Sequence, residues 1–131
     1  MRTDVEGNGP PVVLAVGGWD PTCGAGLAAD LLSIAMNGAR ARAAVSVITA
    51  QGGGKAVVTQ PVDPFMLEQQ MQRAVQGLSL AAIKTGALGS EAQVRCVASL
   101  VGKHPHASLV VDPVMGATAG GELMDVAGVR A

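Results

Sequence analysis

Apolar residues in this chain gather into short unbroken runs, each closed by glycine or by Asp-Pro, and the runs alternate with longer stretches of helical character. Val12-Val13-Leu14-Ala15-Val16 is continuous rather than alternating and stops at Gly17-Gly18. A strand covered on both faces needs that pattern. Asp20-Pro21-Thr22 and Gly24-Ala25-Gly26 then lead into an Ala/Leu-rich helix ending at Met36, before Asn37-Gly38. Ala44 to Thr49 reads as a second strand, ended by Gln51-Gly52-Gly53-Gly54. Asp63 before Pro64 places a capping side chain ahead of proline at the first helical position, so a helix is expected to about Gly77. Ala81 to Thr85 is a third strand closed by Gly86, and Leu109-Val110-Val111 a fourth closed by Asp112-Pro113. Between them, Ser90-Glu91-Ala92-Gln93 fits a capping box that opens a helix reaching about Lys103.

Strands alternating with helices predict an α/β fold, a parallel sheet with helices on both faces. The polar and glycine clusters that follow each strand then share the carboxyl edge of the sheet, where open α/β folds bind ligands.

Composition narrows the function classes. With 131 residues the chain makes one domain, and 49% hydrophobic against 15% charged residues excludes a disordered tail. Ten acidic and nine basic side chains give a charge of −1, which argues against a nucleic-acid binder. One Trp, one Phe and no Tyr leave no base-stacking platform. No apolar run approaches the ~18–20 residues that cross a bilayer, and residues 1–11, with Asp4 and Glu6, do not read as a signal peptide. Cys23 and Cys96 form no disulfide framework, so a soluble, cytoplasmic protein is expected.

Several residues carry candidate chemistry. Gly24-Ala25-Gly26-Leu27-Ala28-Ala29 mimics a dinucleotide fingerprint, but it lies seven residues past Gly17, and no acid follows between Asp30 and Asp63 for the ribose hydroxyls. Close helix–sheet packing is the simpler role for these glycines. Asp20 can cap a turn, and Asp30 faces either solvent or a ligand pocket. The Gln51 amide could read the edge of a heterocycle, although an ordinary loop amide is the simpler reading. Lys84, inside an apolar strand, must reach an edge or pair with a carboxylate or phosphate. Asp112 at the same edge could hold Mg²⁺, or simply turn the chain. Thr118, Gly120 and Gly121 make a loop able to offer N–H groups to anions. His104 and His106 belong to the opposite edge and read as surface residues, both cysteines read as inert small residues, and no His lies at the ligand edge to activate Cys23.

Four ordered segments carry a family resemblance. Val16 to Leu31 (VGGWDPTCGAGLAADL) resembles the A-G-[ST]-D-P-S-G-G-A-G-I-Q-A-D-L opening of hydroxymethylpyrimidine/phosphomethylpyrimidine kinases. Ser46 to Ala50 resembles their S-V-I-T-A strand, Ala82 to Leu88 their A-[IV]-K-[TI]-G-M-L, and Val110 to Gly120 their V-V-D-P-V-M-x-A-T-S-G. The resemblance implies a ribokinase-like fold, here a truncated three-layer sandwich, with residues 1–131 forming one partial domain that is the substrate-binding N-terminal half. It implies a kinase of thiamine biosynthesis that uses ATP and Mg²⁺ to phosphorylate the pyrimidine hydroxymethyl group, then the monophosphate.

Carried over by position, Gly18, Asp30, Gln51 and Ala87 would bind the pyrimidine, while Asp112 and Thr118 would lie near phosphate, with Asp112 near the metal. The family's general base belongs to a G-x-G-D segment, which this chain lacks, so no catalytic base is assigned. Trp19, Cys23 and Ala87 replace the family's Ser/Thr, Gly and Met, extra residues occur around Ala39 to Ala43, and the stretch after Gln51 is shortened. The expected partners are the small-molecule substrate and a second copy or a complementing C-terminal half, with no nucleic acid and no membrane. A pyridoxal kinase-like protein and a non-catalytic pyrimidine-binding or dimerising module are the alternatives.

Overall fold

The computed structural model describes residues 9–53, 58–115 and 130. In chain order the elements are β1 (Val12–Trp19), α1 (Gly26–Met36), β2 (Arg40–Ala50), β3 (Val58–Pro61), α2 (Pro64–Val75), β4 (Ala82–Thr85), α3 (Glu91–Lys103) and β5 (Ser108–Val111). Asp63 caps α2 as its position suggests, accepting the N–H groups of Phe65 at 2.9 Å and Met66 at 3.3 Å.

The strands form one sheet in the order β3-β2-β1-β4-β5. β1 lies at the centre, parallel to β2 and β4, and β5 runs parallel to β4. Val12, Leu14 and Val16 point to one face and form a core with Leu67, Met71 and Val75 of α2 and Val97 and Leu100 of α3. The alternate residues face α1, where a Cβ on Gly17 would sit 3.8 Å from Leu27. Both faces of β1 are therefore covered, which is why its apolar run does not alternate. The result is the expected three-layer α/β arrangement.

Two differences from the sequence reading concern the second strand. β2 begins at Arg40 rather than Ala44, because the residues that look like an insertion around Ala39 to Ala43 pair with Val12 to Ala15 of β1. β3, absent from the sequence reading, runs antiparallel to β2 and pairs Val58 with Ala50 and Pro61 with Val47. Its residues are mostly exposed and it ends in proline, so it lacks the apolar signature of the other strands.

The third difference is at α3. Ser90 accepts the Gln93 N–H at 3.3 Å as the capping box requires, but the Gln93 side chain does not return to Ser90. It is fully buried, accepting the Gly89 N–H at 2.7 Å and donating to the carbonyls of Ser46 at 2.9 Å and Val62 at 2.6 Å. One amide thus joins α3 to β2, to the residue after β3 and to the loop following β4. Gln70 acts similarly on the outer side of β2, bonding both the N–H and the C=O of Val45, at 2.9 and 3.0 Å, where β3 does not reach. Gln93→Leu fills the same space but strands the Gly89 N–H and the Val62 carbonyl, while the Ser46 carbonyl keeps the Val62 N–H at 2.8 Å. We expect it to lower stability by about 2–4 kcal/mol, read as a lower urea midpoint at unchanged slope. A loss below about 1 kcal/mol would refute the linking role assigned to this amide.

Candidate functional site

β2 lies on one side of β1, whereas β4 and β5 lie on the other, so the connections diverge at the carboxyl ends of β1 and β4. Such a switch point opens a crevice. A cleft of about 400 Å³ occupies it, walled by Gly17, Gly18 and Trp19 of β1, Gly86 and Ala87 after β4, and Gln51 and Gly52 after β2. Five of the six residues carried over by position from the family pattern, Gly18, Asp30, Gln51, Ala87 and Asp112, line this one cleft. The sixth, Thr118, lies outside the described residues, as do Gly120 and Gly121.

Small residues make the space. A Cβ on Gly18 would stand 3.6 Å from the Ala87 methyl and 3.5 Å from the Val47 carbonyl oxygen. β1 and β2 slip register between Gly17 and Gly18, which turns the end of β1 into the cleft. Thr49 ties the two strand ends together, donating its hydroxyl to the Trp19 carbonyl at 2.7 Å. The loop after β4 is held from below, where the buried Ser46 hydroxyl donates to the Ala87 carbonyl.

Charged groups occupy the floor and the rim. Lys84 of β4 reaches Asp30 of α1 at 2.7 Å and Asp112, just after β5, at 3.7 Å. Of the two outcomes open to a lysine in an apolar strand, Lys84 takes pairing with a carboxylate, and the Asp30 side chain faces the cleft. Asp20, 4% exposed, accepts the N–H and hydroxyl of Thr22, both at 2.8 Å, and the Ala25 N–H at 3.0 Å. Burial works to raise its pKa, but these bonds and one from the Gln51 side chain outweigh that and hold the carboxyl below the usual carboxylate range. Asp20 is thus the turn cap that its sequence position allowed. It also occupies the N-terminal approach to α1, leaving that helix end no dinucleotide phosphate to bind.

Among the described residues no three His, Cys, Asp or Glu side chains gather as a metal cage. Asp112, its side chain 55% exposed, is a lone rim carboxylate of the kind that holds Mg²⁺ together with substrate phosphates and water. Elsewhere, His104 and His106 lie in the connection before β5, at the edge opposite the cleft. Both cysteines are free thiols, and burial together with the Glu68 carboxylate pushes the Cys96 thiol up, away from nucleophilic reactivity.

Known proteins resemble this chain in sequence and in fold. The family described as phosphomethylpyrimidine kinase matches residues 20–131. The chain belongs to the phosphomethylpyrimidine kinase family. It is 41% identical over 131 residues to the thiamine biosynthesis multifunctional protein of Corynebacterium glutamicum, covering 95% of this chain and 17% of that protein. Its fold matches phosphomethylpyrimidine kinase from Clostridium difficile with a TM-score of 0.80 at 24% identity, over 92% of this chain and 52% of that one. It also matches Staphylococcus aureus pyridoxal kinase in complex with pyridoxal, with a TM-score of 0.75 at 28% identity, over 82% and 41%. The chain therefore spans about half or less of the proteins it matches. The fold is the ribokinase-like one of these kinases, and the family is a phosphotransferase family of thiamine biosynthesis. No helix among the described residues is long and apolar enough to cross a membrane.

Two departures from the phosphomethylpyrimidine kinase pattern gain a physical reading. Cys23 stands where the family motif has glycine, and its φ is +58°, the left-handed region that costs a side-chain-bearing residue about 1–2 kcal/mol. Trp19, 40% exposed, stands at the mouth of the cleft in place of a small residue. The parts that sequence reasoning missed are those that hold the wall in place: Ser46, Thr49 and Gln93 are buried polar residues whose partners lie far away in the chain. Their one signal is a hydroxyl or amide at an inward position of an apolar element.

Cys23→Gly should stabilise the chain by about 1 kcal/mol, since relief of the left-handed strain exceeds the added freedom of the unfolded state. Chemical denaturation checks it, and an unchanged or lower midpoint would count against strain at this turn. Asp20→Asn should destabilise at neutral pH. A depressed carboxylate contributes stability above its unfolded pKa that is lost as pH falls through the folded value. The deficit of the variant should therefore shrink below about pH 4, near the unperturbed carboxylate value, in thermal unfolding followed against pH.

Proposed function

We propose that this chain is the substrate-binding part of a MgATP-dependent kinase that phosphorylates the hydroxymethyl group of an aminopyrimidine, or its monophosphate. The observation that carries the reading is the convergence, at one switch-point cleft, of two small residues that make room for a ring, Gly18 and Ala87, with a carboxylate and an amide, Asp30 and Gln51. A ring bearing donors and acceptors is read by such groups. Asp112 at the rim fits the side from which Mg²⁺ and the phosphoryl group would approach, and a phosphate role for Thr118 rests on the family pattern alone.

Phosphoryl transfer relies on positioning and charge stabilisation. The described residues offer the positioning. The general base, the anion hole and the adenine site are assigned to a complementing part corresponding to the remaining length of the relatives. β5 is the element suited to receive it, being the outer strand of the sheet among the described residues, with Leu109, Val110 and Val111 all exposed. Two free thiols suit a reducing, cytoplasmic setting.

The similarity to pyridoxal kinase in complex with pyridoxal supports a second reading, a vitamin B6 alcohol in the same cleft. Thermal unfolding separates the two. At ~100 times its dissociation constant, hydroxymethylpyrimidine should stabilise the chain by about 2.7 kcal/mol, and pyridoxal at that same concentration should do so less. A larger shift with pyridoxal would favour the second reading, and a cooperative transition that neither ligand moves would overturn both.

A further inference from the structure

Trp19 is the one tryptophan of the chain, and it lies on the cleft. Its backbone is fixed from two directions. Thr49 holds its carbonyl at 2.7 Å, and the next residue, Asp20, is buried and bonded into the turn before α1. The indole is not spent on the core, because 40% of the residue stays exposed at the cleft mouth. A large, rigid aromatic that is anchored by its backbone and open on a concave site is suited to lie against a flat ring. One indole cannot stack successive bases, but a single heteroaromatic ring needs one face only. The reverse change in size occurs on another wall of the same cleft. Ala87 is buried, and its methyl lies 3.6 Å from the place that a Cβ on Gly18 would take. That methyl therefore points at the end of β1, at the residue preceding Trp19. Against the family pattern, bulk is gained at residue 19 and lost at residue 87, and both positions line one cleft.

We infer that Trp19 is the specificity-determining contact of this cleft, its indole stacking on the heteroaromatic ring of the ligand and supplying from β1 the apolar surface that the family's methionine would supply from the loop after β4. The inference deepens the proposed function and rests on it. Affinity then depends on an aromatic side chain at residue 19. Residues 19 and 87 are also coupled: Ala87→Met overfills a cleft that holds the indole and refills one that lacks it.

The test is titration of the whole chain with hydroxymethylpyrimidine, followed by calorimetry and by tryptophan emission, which reports residue 19 alone. Trp19→Phe, Trp19→Ser, Ala87→Met and the Trp19→Ser/Ala87→Met double variant are titrated beside it, each shown first to unfold cooperatively. The expected result is a saturable change in emission with the same midpoint as the heat. Trp19→Phe should keep most of the affinity, whereas Trp19→Ser should bind about tenfold more weakly, as loss of an aromatic stacked on a base does. Ala87→Met should weaken binding in the parent and strengthen it in the Trp19→Ser background. Heat without a change in emission overturns the inference and leaves the proposed function standing. So does a Trp19→Ser variant that binds as tightly as the parent, or an Ala87→Met effect that is the same in both backgrounds. If Ala87→Met fails to fold, the emission and Trp19→Ser arms decide by themselves. Absence of binding to the folded chain overturns the proposed function, and the inference with it.

Discussion

Helix α1 can lie against the end of β1 because residue 26 has no side chain. A Cβ on Gly26 would stand 2.4 Å from the Gly18 carbonyl oxygen, inside any permitted contact, and the backbone there has φ +63°. Glycine is the residue that meets both demands. The close approach brings Asp30, one turn into the helix, over the sheet and within reach of Lys84 on β4. A bulkier residue at 26 would push the helix outward and separate that pair. The cleft would lose its wall and its charge arrangement together, so the G-A-G segment serves packing first and ligand geometry through packing.

The Lys84–Asp30 contact joins elements that are not neighbours in sequence. It runs from β4 to α1 over the end of β1, and its weaker arm to Asp112 reaches the chain leaving β5. Each partner keeps about a fifth of its side-chain surface exposed, so neither the desolvation penalty nor the Coulomb gain of a fully buried pair applies. What the contact supplies is geometry, one carboxylate orientation and one ammonium position at the place where three elements meet. Gly86 makes room for it, since a Cβ there would come within 3.3 Å of the Lys84 nitrogen.

The parts of this architecture legible in the sequence are those governed by local chemistry. Continuous apolar runs showed the parallel strands, Asp63-Pro64 the start of α2, and Asp20-Pro21 the turn before α1. Lys84 announced that it needed either an edge or an anionic partner, but nothing local could say that the answer was Asp30, 54 residues away. β3 escaped because an exposed, proline-ended edge strand has no apolar pattern to show. Gln93 misled for a related reason. Its spacing from Ser90 satisfies a local capping rule, but burial beneath β2 offered its amide the Ser46 and Val62 carbonyls instead. Where tertiary contacts compete with a local rule, the contact that prevents a buried unsatisfied group wins.

Under the proposed function, binding and phosphoryl transfer belong to separable parts of this fold. The cleft wall depends on β1, α1, β2 and the loop after β4, of which β1, β2 and the loop are braced by hydrogen bonds from Ser46, Thr49 and Gln93. Asp112 instead leaves β5, a strand whose four residues are all exposed, and its backbone is tied to the rest by a bond from its N–H to the Thr85 carbonyl. Ordering of the binding wall is thus internal to the described core, whereas the rim carboxylate sits on the least protected strand. Under the proposed function, a complement that pairs with β5 would do two things at once. It would cover the exposed Leu109, Val110 and Val111 side chains, and it would fix the position of the one carboxylate suited to metal-assisted chemistry. The hydrophobic drive to complete the sheet and the assembly of the catalytic rim would then be the same event, which makes the open edge the natural point of control over activity.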